Sequence, residues 1–183
     1  SFPNGIAVDP DGQILYLGLS GNRQVVQMRL WADGSIGEPR PYARQTPDGL
    51  ALEAGPAGGG VWVCHPGKAL VVRYDPAGRP TDEVELVLPG GGEGRAIACA
   101  VSPDGATLWV VGIEALPPGA DLFTAMADKV TVGHLWRADI EGSLAHAEML
   151  TAVGVISEAD HADIRRGMAQ IGDVLIVGGD GAL

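Results

Sequence analysis

Apolar and polar residues follow the spacing of short β-strands along most of the first 140 positions. Ile14-Leu15-Tyr16-Leu17-Gly18-Leu19, Val61-Trp62-Val63-Cys64 and Leu108-Trp109-Val110-Val111 are apolar runs of strand length. Each is followed by a run in which apolar and polar positions alternate, as half-exposed strands require: Val25 to Leu30, Leu70 to Tyr74 and His134 to Ala138. A further strand closes two of the groups, at Glu38 to Ala43 and at Glu83 to Leu88.

These groups are copies of one another. Phe2-Pro3-Asn4-Gly5-Ile6-Ala7-Val8 recurs 44 positions later as Thr46-Pro47-Asp48-Gly49-Leu50-Ala51-Leu52, and Val8-Asp9-Pro10-Asp11-Gly12 recurs as Val101-Ser102-Pro103-Asp104-Gly105. Four short strands repeating every ~40–45 residues, with Asp-Gly turns between the first and second, are the signature of a β-propeller blade. The predicted fold is therefore all-β. Residues 1–140 form three four-stranded blades (1–45, 46–89 and 90–140), an incomplete ring, since propellers close with about 4–8 blades. An all-β sandwich has short strands too, but it does not account for Pro-(Asn/Asp)-Gly recurring at one phase. The chain opens on Ser1 in mid-pattern, so a C-terminal fragment lacking the N-terminal half of the propeller is expected.

Composition sharpens the class. The 183 residues are 46% hydrophobic and only 5% aromatic, with 28 Gly and 13 Pro, which suits a globular chain of short elements and many turns. A formal charge of −11 repels phosphate backbones and anionic headgroups, so neither nucleic acid nor a membrane surface is an expected partner. No apolar run approaches the ~20 residues of a spanning helix. Cys64 and Cys99 lie in apolar strands without metal-type spacing, predicting buried free thiols and a reducing, cytoplasmic setting.

Successive turns of an antiparallel blade alternate between its two ends, which places Pro3-Asn4-Gly5 and Pro47-Asp48-Gly49 together at one end, each opening an innermost strand. Asn4 and Asp48 are thereby expected to direct oxygen atoms into the mouth of the central channel. An amide oxygen and a carboxylate suit one hard divalent cation, Ca²⁺, Mg²⁺ or Mn²⁺, with Zn²⁺ also admissible. The alternative is that both tripeptides are plain turn sequences; their equal phase at two inner strands favours a site. Asn22, Arg23, His65 and Lys68 fall at the same end as lesser candidates. Gly112 to Gly133, with helical spacing at 121–127, reads equally as a lid or a surface excursion. The four tryptophans Trp31, Trp62, Trp109 and Trp136 are read mostly as packing between blades.

At these positions the sequence resembles the regucalcin (senescence marker protein)/gluconolactonase family of six-bladed propellers. The likeness runs from Pro3 to about Asp139, through Pro3 to Val8, Asp48 to Ala51, Val61 to Cys64, Val72-Arg73-Tyr74-Asp75-Pro76, Ala98-Cys99-Ala100 and Leu135-Trp136-Arg137. It implies a metal-dependent hydrolase of lactones, acting on a small lactone or sugar-derived substrate, with one divalent metal held by a Glu, an Asn and an Asp. Asn4 matches the family's Asn. Asp48 matches its Asp, which also serves as general base. The family's Glu and its substrate-holding Arg and Asn lie upstream of the matching region, so these residues alone are expected to be inactive. A non-catalytic propeller that binds a ligand or protein is the second expectation.

Beyond Asp139 the period becomes helical: Leu144, Ala147 and Leu150 share a face, Ser157-Glu158-Ala159-Asp160 reads as a helix start, and Ile164, Met168 and Ile171 continue an apolar stripe. Residues 141–183 are therefore predicted as a helical hairpin tail, in which 173–181 reads as a final strand and a turn. The stretch 135–171 resembles the first helices of argininosuccinate lyase, without that enzyme's downstream signature. It carries no activity here, and His146 and His161 are read as exposed helix residues. Either a fusion of unrelated segments or a cover over the open propeller edge would give this pattern.

Overall fold

The computed structural model describes residues 2–53, 59–88, 92, 94–115, 119, 133–139 and 173–176. They form three four-stranded sheets, antiparallel throughout. The first contains β1 (Pro3–Val8), β2 (Ile14–Leu19), β3 (Gln24–Arg29) and β4 (Arg40–Ala43) in chain order. The second contains β5 (Leu50–Leu52), β6 (Val61–His65), β7 (Leu70–Tyr74) and β8 (Pro80–Glu85), again in chain order. In the third, β9 (Gly94–Val101), β10 (Thr107–Glu114) and β11 (Gly133–Asp139) are followed by β12 (Asp173–Ile176) as the outer strand. Apart from one 3-10 turn at Ser20–Asn22, no helix occurs among the described residues. The arrangement is β-propeller-like.

Tight turns make the hairpins possible. Asp9 accepts hydrogen bonds from the Gln13 and Ile14 amides at 2.6 and 2.7 Å, and Ser102 and Asp104 brace the equivalent turn of the third sheet. Gly12 and Gly105 take φ of 68° and 77° there, a left-handed conformation costly for any residue with a β-carbon.

Alternation then gives every sheet two apolar faces, and neighbouring sheets pack face to face. Tyr16, Val25, Tyr42 and Ala43 of the first sheet meet Leu50, Val61, Val63, Val72 and Tyr74 of the second. Ala51, Trp62, Cys64 and Val71, on the opposite face of the second sheet, meet Ala96, Leu108, Val110 and Trp136 of the third. Polar atoms in these layers are paired. The Tyr42 hydroxyl donates to the Asp75 carbonyl at 2.7 Å, and the Trp136 indole donates to the Val87 carbonyl at 3.1 Å. Glu53 accepts from the Trp62 indole at 2.7 Å and from two nitrogens of Arg73 at 2.8 and 2.7 Å.

Several expectations shift in detail. The outer strand expected at Glu83 to Leu88 is β8, three residues earlier, because Leu86 and Leu88 leave the ladder to enter the core between the second and third sheets. The strand expected within the tail is β12, which pairs with β11 through Leu135↔Leu175 and Trp136↔Val174. β10 extends through Glu114, into the segment read as a loop. Two tryptophans, Trp62 and Trp136, pack between sheets, whereas Trp31 and Trp109 are exposed. The helical readings at 143–150 and 157–171, with His146 and His161, and the lid reading at 121–127, lie outside the described residues. No helix among the described residues is long and apolar enough to cross a membrane.

Candidate functional site

The segment Pro47-Asp48-Gly49 sits where the three inner strands meet, and its backbone is tied to all three sheets. The Asp48 carbonyl accepts from the Gly5 amide at 3.0 Å, and Ser20 Oγ donates to the Pro47 carbonyl at 2.6 Å, both from the first sheet's end. Within its own sheet, the Asp48 amide donates to the Cys64 carbonyl at 3.0 Å, and the Gly49 carbonyl accepts from the Cys64 amide at 2.9 Å. The Gly49 amide reaches the third sheet, donating to the Ile97 carbonyl at 2.7 Å. Such close approach needs residues without side chains. A β-carbon on Gly49 would lie 2.5 Å from Ala98 Cα and 2.8 Å from the Ile97 carbonyl oxygen; one on Gly5 would collide with the Asp48 carbonyl.

This lattice fixes Asp48 beside Asn4, the two residues singled out by their phase. The Asn4 side chain lies beside the Asp48 carboxylate and favours its charged form. Asn4 is exposed and Asp48 half-buried. Burial raises the Asp48 carboxyl above its ordinary range, and Asn4 only partly offsets this. No ion pair from Lys, Arg or His balances Asp48 among the described residues. A desolvated carboxylate lacking a protein cation, next to an amide oxygen, fits a hard divalent cation in donor chemistry. Asn4 Oδ1 and the Asp48 carboxylate would contribute two ligands. Among the described residues no group of three His, Cys, Asp or Glu side chains converges as a metal cluster.

The adjacent thiols add no soft ligand. Cys64 is fully buried, and its thiol is pushed far up by its hydrogen bond with Cys99, by burial and by the Asp48 charge, so it stays protonated. Both cysteines are free. Of the lesser candidates, Asn22, Arg23 and Lys68 are exposed at the same end. His65 ends β6, and burial together with the Lys68 charge lowers its pKa, leaving a neutral imidazole whose Nδ1 accepts from the Gly67 amide at 3.3 Å. A residue pair not singled out from sequence is His134 and Glu114, 3.2 Å apart at the matching end of the third sheet. His134 is buried, and its Nδ1 has no partner among the described residues. Its only sequence signal was a His opening an alternating strand.

Comparison with known proteins follows the same lines. Among solved structures, the chain is similar to a luciferin-regenerating enzyme, with 22% identity and a TM-score of 0.57 over 78% of this chain and 46% of that one. It is also similar to regucalcin from Agrobacterium tumefaciens strain C58, described as a calcium-binding protein, with 24% identity and a TM-score of 0.50 over 70% of this chain and 42% of that one. At these identities the likeness is one of fold, and the chain spans less than half of either structure. A short stretch of 37 residues is 76% identical to argininosuccinate lyase from Acidovorax sp. (strain JS42), covering 20% of this chain and 8% of that protein. Its length equals that of the stretch 135–171, where the sequence itself shows the likeness. Residues 1–114, well over half of the chain, match the family described as the SMP-30/Gluconolactonase/LRE-like region. Three antiparallel four-stranded sheets and that match together place the chain in the SMP-30/Gluconolactonase/LRE-like family.

Proposed function

We propose that the chain contributes part of the active centre of a metal-dependent lactone hydrolase, with Asn4 and Asp48 as metal ligands and Asp48 also as general base. The observation that carries this reading is the adjacent Asn4 and Asp48 pair, in which a half-buried carboxylate of raised pKa has no cation of the protein to balance it among the described residues. One divalent cation, Ca²⁺, Zn²⁺, Mn²⁺ or Mg²⁺, would supply charge to polarise the lactone carbonyl and to acidify water. Asp48 Oδ accepts a proton from the attacking water as its oxygen bonds to the carbonyl carbon. The ring C–O bond then breaks, and the leaving alkoxide takes that proton, giving a hydroxy acid. A carboxyl raised by burial is a better proton acceptor than an ordinary aspartate, which suits it to this role. Asn4, beside the carboxylate, favours its charged form. The substrate class is a small lactone or sugar-derived lactone, and the two free thiols suit a cytoplasmic setting.

A second reading, a non-catalytic propeller that binds its ligand without turnover, draws on the presence of two rather than three ligating side chains at Asn4 and Asp48 among the described residues. With two protein ligands, these 183 residues by themselves should bind the cation weakly and turn over little. The test is a thermal melt with and without Ca²⁺, Mn²⁺ or Zn²⁺, repeated on Asp48→Ala, beside a lactone-hydrolysis assay. A cation at a hundredfold excess over its dissociation constant stabilises by about 2.7 kcal/mol. A metal-dependent rise that Asp48→Ala abolishes is expected, and a melt indifferent to every cation would refute the ligand assignment. Binding without hydrolysis, even when the missing ligands are restored in a longer chain, would favour the second reading.

A further inference from the structure

Asn4 and Asp48 are each followed by a glycine, and packing leaves no alternative at either place. A β-carbon on Gly5 would collide with the Asp48 carbonyl, and one on Gly49 would lie 2.5 Å from Ala98 Cα. That requirement carries a chemical hazard at Asn4. In an Asn-Gly step no β-carbon shields the following backbone nitrogen. The Gly5 nitrogen then bonds to the Asn4 side-chain carbonyl carbon, Cγ, and loses its proton to solvent; the Cγ–Nδ2 bond breaks and ammonia leaves. Water opens the resulting five-membered imide on one side or the other. The product is aspartate at position 4, or isoaspartate, in which the main chain runs through the former side chain and is longer by a methylene.

The fold restrains this reaction from outside the strand that contains it. The pairing of β1 with β2 passes from Pro3↔Leu19 to Ile6↔Leu17 through an irregularity that takes in Asn4 and Gly5. The Gly5 amide donates instead to the Asp48 carbonyl, just ahead of β5 in the second sheet, at 3.0 Å. To reach Cγ, the nitrogen must give up that hydrogen bond and turn out of the extended backbone of β1, so the two sheets must first part at this point. The same arrangement recurs 44 positions later, where the Gly49 amide donates to the Ile97 carbonyl of β9 at 2.7 Å. We infer that Asn4 is a site of spontaneous deamidation through a cyclic imide with the Gly5 nitrogen, held shut by the Gly5 to Asp48 hydrogen bond while the first and second sheets stay docked. The consequence for metal binding rests on the proposed function: conversion exchanges the Asn4 amide for a second carboxylate beside Asp48, or in the iso form displaces it. The restraint itself does not depend on that reading.

The test follows the Asn4 peptide of the 183-residue chain by mass spectrometry during incubation in metal-free, mildly alkaline buffer, with and without urea, beside hydrogen exchange of the Gly5 amide. Conversion of Asn4 is expected in urea and should be slower on the order of a hundredfold in the folded chain. Asn22, whose following nitrogen is shielded by the Arg23 side chain, is the internal reference for slow conversion under both conditions. Leu50→Ala, which empties the contact between the first and second sheets beside Gly5, should speed both Gly5 exchange and Asn4 conversion. Val110→Ala, in the core between the second and third sheets, should speed them less. Ser20→Ala, which frees the Pro47 carbonyl without opening either core, should act in the same direction as Leu50→Ala. Absence of conversion in urea would overturn the site. Conversion as fast in the folded chain as in urea would overturn the restraint. Equal acceleration by Leu50→Ala and Val110→Ala would overturn its assignment to this junction, because protection would then come from folding as a whole. None of these readouts involves a cation or a lactone, so they fail or succeed separately from the proposed function.

Discussion

At Asp48 and Glu53, two half-buried carboxyls a few residues apart, environment drives acidity in opposite directions. Burial raises both, but at Glu53 the Arg73 guanidinium, the Trp62 indole and the Gly60 amide outweigh it and hold the carboxyl below its ordinary value. Asp48 has only Asn4 to offset burial and stays raised. The consequences for stability have opposite sign. A raised folded-state pKa contributes stability that is complete below the ordinary aspartate value of 3.8 and lost as pH rises through the folded value. Without added cation, Asp48→Asn is therefore expected to be more stable than the native chain at neutral pH. The advantage should vanish at acid pH, as urea midpoints across pH would record. Glu53 behaves conversely: its contribution is present above its ordinary value of 4.5 and fades as pH falls through the lowered one. Arg73→Met strands that carboxylate, whose side chain is 13% exposed, and should cost about 2 kcal/mol at pH 7. Adding Glu53→Gln should recover much of the loss in a double-mutant cycle.

Among the elements, the hairpin turns show how much a repeated sequence signal leaves to context. Gly12 and Gly78 have similar φ, 68° and 77°, and both follow a carboxylate that collects turn amides, Asp9 and Asp75. Open space surrounds Gly12, while a β-carbon on Gly78 would collide with the Tyr42 carbonyl of the neighbouring sheet. Gly12→Ala should therefore cost only the conformational penalty, about 1–2 kcal/mol. Gly78→Ala should cost distinctly more, because it also forces the first and second sheets apart; chemical denaturation of the two variants checks the order. β8 makes a related point. The apolar run that ends the second unit looks like its outer strand, yet Asp82 pairs with Arg73 in the ladder and the leucines beyond it fill the core.

For the molecule as a whole, the segment 47–49 acts as a rivet, because its hydrogen bonds reach Gly5 and Ser20, Cys64, and Ile97 in three different sheets. Side chains of the second sheet serve both cores. The three sheets should accordingly unfold in one transition, with strand and tryptophan signals coinciding. Gly49→Ala should lower that shared transition by about 2–3 kcal/mol rather than split it, since its clash with Ala98 spans the second and third sheets. Separate transitions in calorimetry would contradict this.

Much of this protein is written locally. The period-two pattern, the Asp-Gly turns and the 44-residue recurrence are short-range signals, and they determined most of the strands, the grouping in fours of the first two sheets and the phase that singles out Asn4 and Asp48. Strand pairing within a hairpin follows from turn geometry, so it too was legible. What tertiary structure alone decided concerns contacts between sheets: that Trp62 is buried while Trp109, at the same phase, is exposed; that Glu53 is neutralised by Arg73 while Asp48 is not; and that His134 lies buried beside Glu114. β12 belongs with these, since pairing with β11 depends on an edge offered more than thirty residues earlier in the chain. Periodicity records which face of a strand is apolar, whereas burial and charge depend on what finally packs against that face.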